Sequence, residues 1–132
     1  MKKILVVEDE PITRAIICRV CESLGYKAIQ TSNGRLVDNL LKENSDFALV
    51  ITDIIMPDMD GRELVKALRS QEATCSLPII IISGVIPYKD IRGILELGAS
   101  RFMPKPLDTS ELKRIVTSLL AGEPRLAEHR LQ

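Results

Sequence analysis

Aromatic side chains are scarce in this chain: it has no Trp, two Tyr and two Phe, 3% of its 132 residues. A cofactor that needs stacking partners, such as a flavin, finds little here. Net charge is missing too, because 18 Lys and Arg balance 18 Asp and Glu. That balance argues against a basic nucleic-acid surface or a polyanion-binding tail. No apolar run approaches the roughly 20 residues of a membrane-spanning helix. Met1-Lys2-Lys3 is followed by only four apolar residues before Glu8, too few for a signal-peptide core. The expectation is a cytoplasmic protein that stays off membranes. Histidine is reduced to His129, in a polar C-terminal segment, and reads as an ordinary tail residue.

Cysteine is limited to Cys18, Cys21 and Cys75, an odd count that fits a reducing compartment better than a disulfide framework. Cys18-Arg19-Val20-Cys21 has the C-x-x-C spacing but lies deep inside a helical pattern. A redox pair of that kind sits at a helix N-terminus, where the dipole lowers a thiol pKa. Zinc would need two further ligands, and the chain offers only Cys75 and His129. The expectation is structural cysteines.

What the chain has instead is isolated polar residues at the ends of apolar strands. Glu8-Asp9 follow Ile4-Leu5-Val6-Val7, and Asp53 follows Ala48-Leu49-Val50-Ile51-Thr52. Ser83 follows Pro78-Ile79-Ile80-Ile81-Ile82, and Lys105 follows Arg101-Phe102-Met103-Pro104. Apolar runs of this length alternate with helix-period segments, which is the pattern of repeated βα units. Strands are predicted over 3–7, 27–31, 47–52, 78–82 and 101–104, and helices over 11–24, 34–43, 61–71, 87–97 and 109–121. The first, third and fourth strands are nearly all apolar, so they are central, and the more polar second and fifth are edges.

The first helix puts Ile12, Ile16, Ile17, Val20, Cys21 and Leu24 on one face, with Cys18 away from it. The last repeats Leu112, Ile115, Val116, Leu119 and Leu120 at helical spacing, behind Asp108 or Thr109 as N-cap. Gly25, Gly98 and Gly122 fit helix ends. Such a chain folds as an α/β domain of flavodoxin-like (βα)5 type, a doubly wound five-stranded parallel sheet in the order 2-1-3-4-5. The first and third strands are then neighbours, and their carboxyl ends open the crevice where ligands bind in such sheets. Three carboxylates, a hydroxyl and an ammonium converge there, a set suited to a divalent cation and a phosphoryl group. Residues 1–121 form this domain, and 122–132 a polar tail or the start of a linker.

Five segments carry a family resemblance: Ile4 to Glu10 (ILVVEDE), Val50 to Gly61 (VITDIIMPDMDG), Ile80 to Gly84 (IIISG), Leu95 to Ala99 (LELGA) and Met103 to Leu107 (MPKPL). In this order and spacing the chain resembles the receiver domain of a two-component response regulator, of the chemotaxis-regulator type. The resemblance implies that Asp53 accepts a phosphoryl group as a carboxylate nucleophile. It implies Mg²⁺ (or Mn²⁺) on Asp9, Asp53 and the Ile55 carbonyl, with Glu8 acting through water. Many members carry Asp where this chain has Glu8. Glu10 is instead read as a helix N-terminal acid favoured by the dipole.

Lys105 would reach the phosphoryl oxygens as a point charge, next to a cis Lys105–Pro106 peptide. Ser83 matches the switch hydroxyl and Phe102 the coupled aromatic. Gly84, counted with the phosphate-binding residues, replaces the family's usual Ala. Ile55 and Val85 match the family positions that flank the phosphate and are apolar here, so slow self-dephosphorylation is expected.

The function implied is a phosphorylation-activated switch in a phosphorelay, fed by a histidine kinase or histidine phosphotransfer protein. Its output is the face of the fourth helix, fifth strand and fifth helix, acting on a downstream protein target or a fused output domain. The chain would be a stand-alone regulator or a receiver cut from a longer one, and a monomer or a phosphorylation-dependent dimer. It would be a signalling domain that catalyses only its own phosphorylation and dephosphorylation, not an enzyme in the usual sense. The competing readings are a non-switching receiver that serves as a constitutive protein-binding module, an aspartyl-phosphate phosphatase, and a flavin carrier. The phosphatase would need a second Asp at Ile55. The flavin carrier would need a hydroxyl-rich phosphate loop where Glu8-Asp9-Glu10-Pro11 stands.

Overall fold

The computed structural model describes residues 2–44, 46–56, 59–84 and 88–121. Strands β1 (Lys3–Val7), β2 (Lys27–Thr31), β3 (Phe47–Asp53), β4 (Ile79–Ser83) and β5 (Arg101–Pro104) alternate with helices α1 (Pro11–Ser23), α2 (Val37–Glu43), α3 (Gly61–Ser70), α4 (Tyr88–Leu97) and α5 (Thr109–Leu120). All strand pairs are parallel and the sheet order is β2-β1-β3-β4-β5. The expected topology and both edges hold. The expectations for Gly122, His129 and the tail from 122, for Val85, and for Pro87 at the head of α4 lie outside the described residues.

Two departures from the expected boundaries have local causes. Strand β4 starts one residue late because Pro78 has no N–H to give the ladder; it only accepts, from Val50 N–H at 3.0 Å. The second helix is preceded by a separate 3-10 turn, Gly34–Leu36, started by the Asn33 side chain accepting from Arg35 N–H at 2.8 Å.

Strand alternation builds two cores. Ile4 and Val6, Leu49 and Ile51, Ile80 and Ile82, and Met103 face α1 and α5. Leu5 and Val7, Val50, and Ile79 and Ile81 face the helices on the other side, with Leu64, Val65, Leu68, Ile94 and Leu95. Each fully buried Ile or Leu is worth roughly 1.5–3 kcal/mol, so the sheet centre fixes the strand register firmly.

Helix α1 corrects two expectations. Cys18, expected off the buried face, is buried with Ile17, Val20 and Cys21, because α5 packs beside α1 and widens its covered arc. Ile12, expected inside, is 71% exposed; it lies in the first turn, at the edge where the strands end. Burial pushes the Cys21 thiol up to about 12 and raises Cys18 as well. Both stay protonated at neutral pH, which suits packing and not redox chemistry.

Candidate functional site

The site is built at the carboxyl edge of the sheet. Counted in steps of two from Val6, Ile51 and Met103, the positions Glu8, Asp53 and Lys105 fall on the same side of the sheet. Their contacts agree. Lys105 Nζ donates to Asp53 Oδ2 at 2.8 Å and lies 2.9 Å from Glu8 Oε1. The other Asp53 oxygen, Oδ1, accepts from Ile54 N–H at 2.6 Å and Ile55 N–H at 3.2 Å. Asp53 is therefore held at both oxygens, and only 6% of it is exposed.

Glu8 is more deeply buried still, at 1%. Its Oε2 accepts from Glu10 N–H at 3.2 Å. Its buried Oε1 is paired with the Lys105 ammonium. Burial raises the Glu8 pKa, and the nearby Asp53 charge adds to that, against the lowering effect of Lys105 and of the Glu10 N–H. For Lys105, burial works downward, but Asp53 and Glu8 outweigh it and its pKa is raised. The ammonium stays charged.

Asp9 is exposed and completes the cluster: carboxylate oxygens of Glu8, Asp9 and Asp53 lie within 4.8 Å of one another. At an effective dielectric near 20, two carboxylates that close repel by roughly 3–4 kcal/mol. One ammonium offsets only part of a threefold negative charge. An all-oxygen donor set carrying more negative charge than one ammonium offsets fits a hard divalent cation.

The loops hold this arrangement closely. Gly61 N–H donates to Ile54 O at 2.6 Å, and a Cβ at Gly61 would stand 2.6 Å from Ile54 Cα and 2.8 Å from Asp53 O. Only glycine lets the start of α3 come so near the acid-bearing strand end. The Asp60 side chain caps α3 by accepting from Arg62 N–H at 2.8 Å. Glu10 caps α1, accepting from Ile12 N–H at 3.1 Å and Thr13 N–H at 2.6 Å, so it acts as the helix-start acid expected of it.

Ser83 is buried at the end of β4, and Lys105 N–H donates to its carbonyl at 2.7 Å. By strand alternation Ser83 shares the side of Ile79 and Ile81, where half-buried Phe102 also packs. Serine and Phe102 thus lie on the α4 side of the sheet, across from Glu8 and Lys105. Gly84 is exposed, with open space where a Cβ would be. The Ile55 side chain is 68% exposed. The Lys105–Pro106 peptide is cis.

The Glu8–Lys105 ion pair realises the expected convergence of the acids and the ammonium. One feature escaped the sequence. Arg14, which donates to the Glu8 carbonyl at 2.9 Å, was legible only as a polar position one turn past the acids.

Comparison with known proteins decides the family. The model of the response regulator receiver domain matches residues 4–117. The chain belongs to this family of receiver domains. Among solved structures, it is 32% identical to the receiver domain of a signal transduction histidine kinase from Syntrophus aciditrophicus, with a TM-score of 0.82 and 92% of each chain covered. The chemotaxis response regulator CheY4 of Vibrio cholerae is 25% identical at a TM-score of 0.79, covering 90% of this chain and 98% of that one. Among curated relatives, the two-component response regulator ORR5 of Oryza sativa subsp. japonica is 29% identical over 89% of this chain and 87% of its own length. The sensor protein GacS of Pseudomonas syringae pv. syringae is 28% identical, the match covering 86% of this chain and 13% of that protein. Receivers are signalling domains of two-component systems and work with histidine kinases or phosphotransfer proteins. No helix among the described residues of this receiver is long and apolar enough to cross a membrane.

Proposed function

We propose that this receiver is a phosphorylation-activated switch in which Asp53 takes a phosphoryl group from a histidine kinase or a histidine phosphotransfer protein. The observation that carries the reading is the Asp53 carboxylate itself, buried, paired with Lys105 and flanked by Glu8 and Asp9. An Asp53 oxygen attacks phosphorus, a new O–P bond forms, and the P–N bond to the donor imidazole breaks with its electron pair leaving on nitrogen. Backbone N–H groups of Ile54 and Ile55 hold Asp53 Oδ1 and so aim the other oxygen. Lys105 then follows the charge from carboxylate to phosphoryl oxygens.

Asp9, Asp53 and the Ile55 carbonyl would hold Mg²⁺ (or Mn²⁺) directly and Glu8 through water. When bound, the cation supplies the charge neutralisation that Lys105 alone does not. The transferred group adds a charge of about −2. Ser83 and the backbone at Gly84 turn toward it, Phe102 follows on the same side of the sheet, and the face of α4, β5 and α5 re-packs. This biases a two-state element by a local electrostatic change. The downstream protein or fused output domain reads that face. Ile55 offers no hydrogen bond to orient a hydrolytic water, so the phosphorylated state decays slowly. Residues 1–121 make up the switch, and 122–132 the tail or linker.

The test is intact mass after incubation with Mg²⁺ and acetyl phosphate, for wild type and Asp53→Asn. One phosphoryl group on wild type alone, blocked by chelator, supports the acceptor and the cation together. Addition to both proteins moves the acceptor elsewhere. If wild type takes up neither phosphoryl nor beryllofluoride, the switch reading fails, and a constitutive binding module takes its place.

A further inference from the structure

Arg14 ties down the acidic turn from outside the acidic set. Its side chain donates from Nη1 to the Glu8 carbonyl at 2.9 Å, and its backbone N–H donates to the Glu10 carbonyl at 2.9 Å. The side chain therefore holds the carbonyl that leads into Asp9, while the Glu10 bond belongs to the helix backbone. Its Nε donates to Gln30 Oε1 at 3.1 Å, which anchors the guanidinium on edge strand β2. The turn is tied from below as well, by Glu8 N–H to the Thr31 carbonyl at 3.0 Å. Asp9 is exposed, so the direction of its carboxylate depends on the peptides that carry it.

We propose that Arg14 is a positioning residue for the cation site: it fixes the Glu8–Asp9 peptide so that Asp9 meets the carboxylates of Glu8 and Asp53. The proposal rests on the Mg²⁺ reading given above. Partners that orient a ligand from outside the coordination sphere commonly control 10–100-fold of metal affinity. A bare charge argues the other way, since a cationic guanidinium beside the site opposes a second cation. The sign of the effect therefore separates the two roles.

The experiment is calorimetric titration of phosphoryl-free protein with Mg²⁺, alongside the melting temperature of each metal-free variant. Arg14→Met is expected to weaken Mg²⁺ binding about tenfold while leaving the metal-free melting temperature near that of wild type. Arg14→Lys keeps one donor for the Glu8 carbonyl and should recover part of the loss. Gln30→Ala, which removes the anchor on β2, should weaken binding less than Arg14→Met does. Unchanged or tighter binding in Arg14→Met overturns the positioning role and leaves the cation site standing. Should Arg14→Met fail to fold, Gln30→Ala decides: a dissociation constant equal to wild type overturns the proposal. A wild type that binds no Mg²⁺, behaving like Asp53→Asn, overturns the site reading and this inference with it.

Discussion

The two ends of the sheet bury polar groups in opposite ways. At the amino edge the buried polar residues are neutral and bonded: Thr74 Oγ1 donates to Leu68 O at 2.6 Å, and Ser100 Oγ accepts from Ile79 N–H at 3.0 Å. Arg69 gathers the same edge, reaching the carbonyls of Thr74, Cys75, Leu77 and Gly98 at 2.7 to 3.2 Å. At the carboxyl edge the buried polar residues include Glu8 and Asp53, both carboxylates, sharing one ammonium. One edge spends its polar groups on closing loops. The other keeps charge that one ammonium only partly balances within a folded core, at a cost in stability. Stability and function are thus separable along the strands, and substitutions at the two ends should divide them.

The largest effect is expected where the carboxyl edge is packed most closely. Gly61→Ala drives a Cβ against the backbone of Ile54 and Asp53, atoms that have no rotamer to move to. A loss of about 3 kcal/mol is expected, together with slower uptake of phosphoryl from acetyl phosphate, because the strand end that carries Asp53 must shift. Denaturant unfolding and intact-mass time courses check the two halves. At the other edge Arg69→Met should cost about 2–3 kcal/mol through lost charge-assisted hydrogen bonds. Once folded it should phosphorylate to the same extent as wild type. If it folds normally and yet loses phosphorylation, the two edges are not independent. Ser100→Ala is the milder case: it leaves the buried Ile79 N–H without its acceptor and should cost about 1–2 kcal/mol, again with phosphorylation unchanged.

The same contrast explains what was legible in the sequence. The fold followed from three apolar runs flanked by two more polar ones, because a strand such as Pro78 to Ile82 is covered on both faces in a parallel sheet, and the polar pair marks open edges. Glu8, Asp9, Asp53 and Lys105 stood out as polar interruptions at strand ends, and the structure brings those four together. The arc of α1 was less legible. The helical wheel assumes one covering surface, whereas α1 meets both the sheet and α5, so Cys18 is buried and Ile12 is not. The amino edge was silent, since Arg69 and Ser100 act on carbonyl and N–H groups that carry no sequence signal.

The smallest expected change is the one that tests the stored charge directly. Asp53→Asn removes two repulsions, with Glu8 and Asp9, and loses one attraction, to Lys105. Lys105 keeps Glu8 at 2.9 Å, so it is not left unpaired. The balance favours the variant by about 1 kcal/mol at an effective dielectric near 20, a rise of about 4 °C in the metal-free melting temperature. Mg²⁺ should reverse the order. A tenfold excess over the dissociation constant stabilises the wild type by about 1.4 kcal/mol, and the variant, lacking a ligand oxygen of full charge, gains little. Melting curves of both proteins with chelator and with Mg²⁺ should therefore cross. A metal-free Asp53→Asn that melts below wild type would mean that Lys105 already balances the cluster. The carboxyl edge would then be as well satisfied as the amino edge.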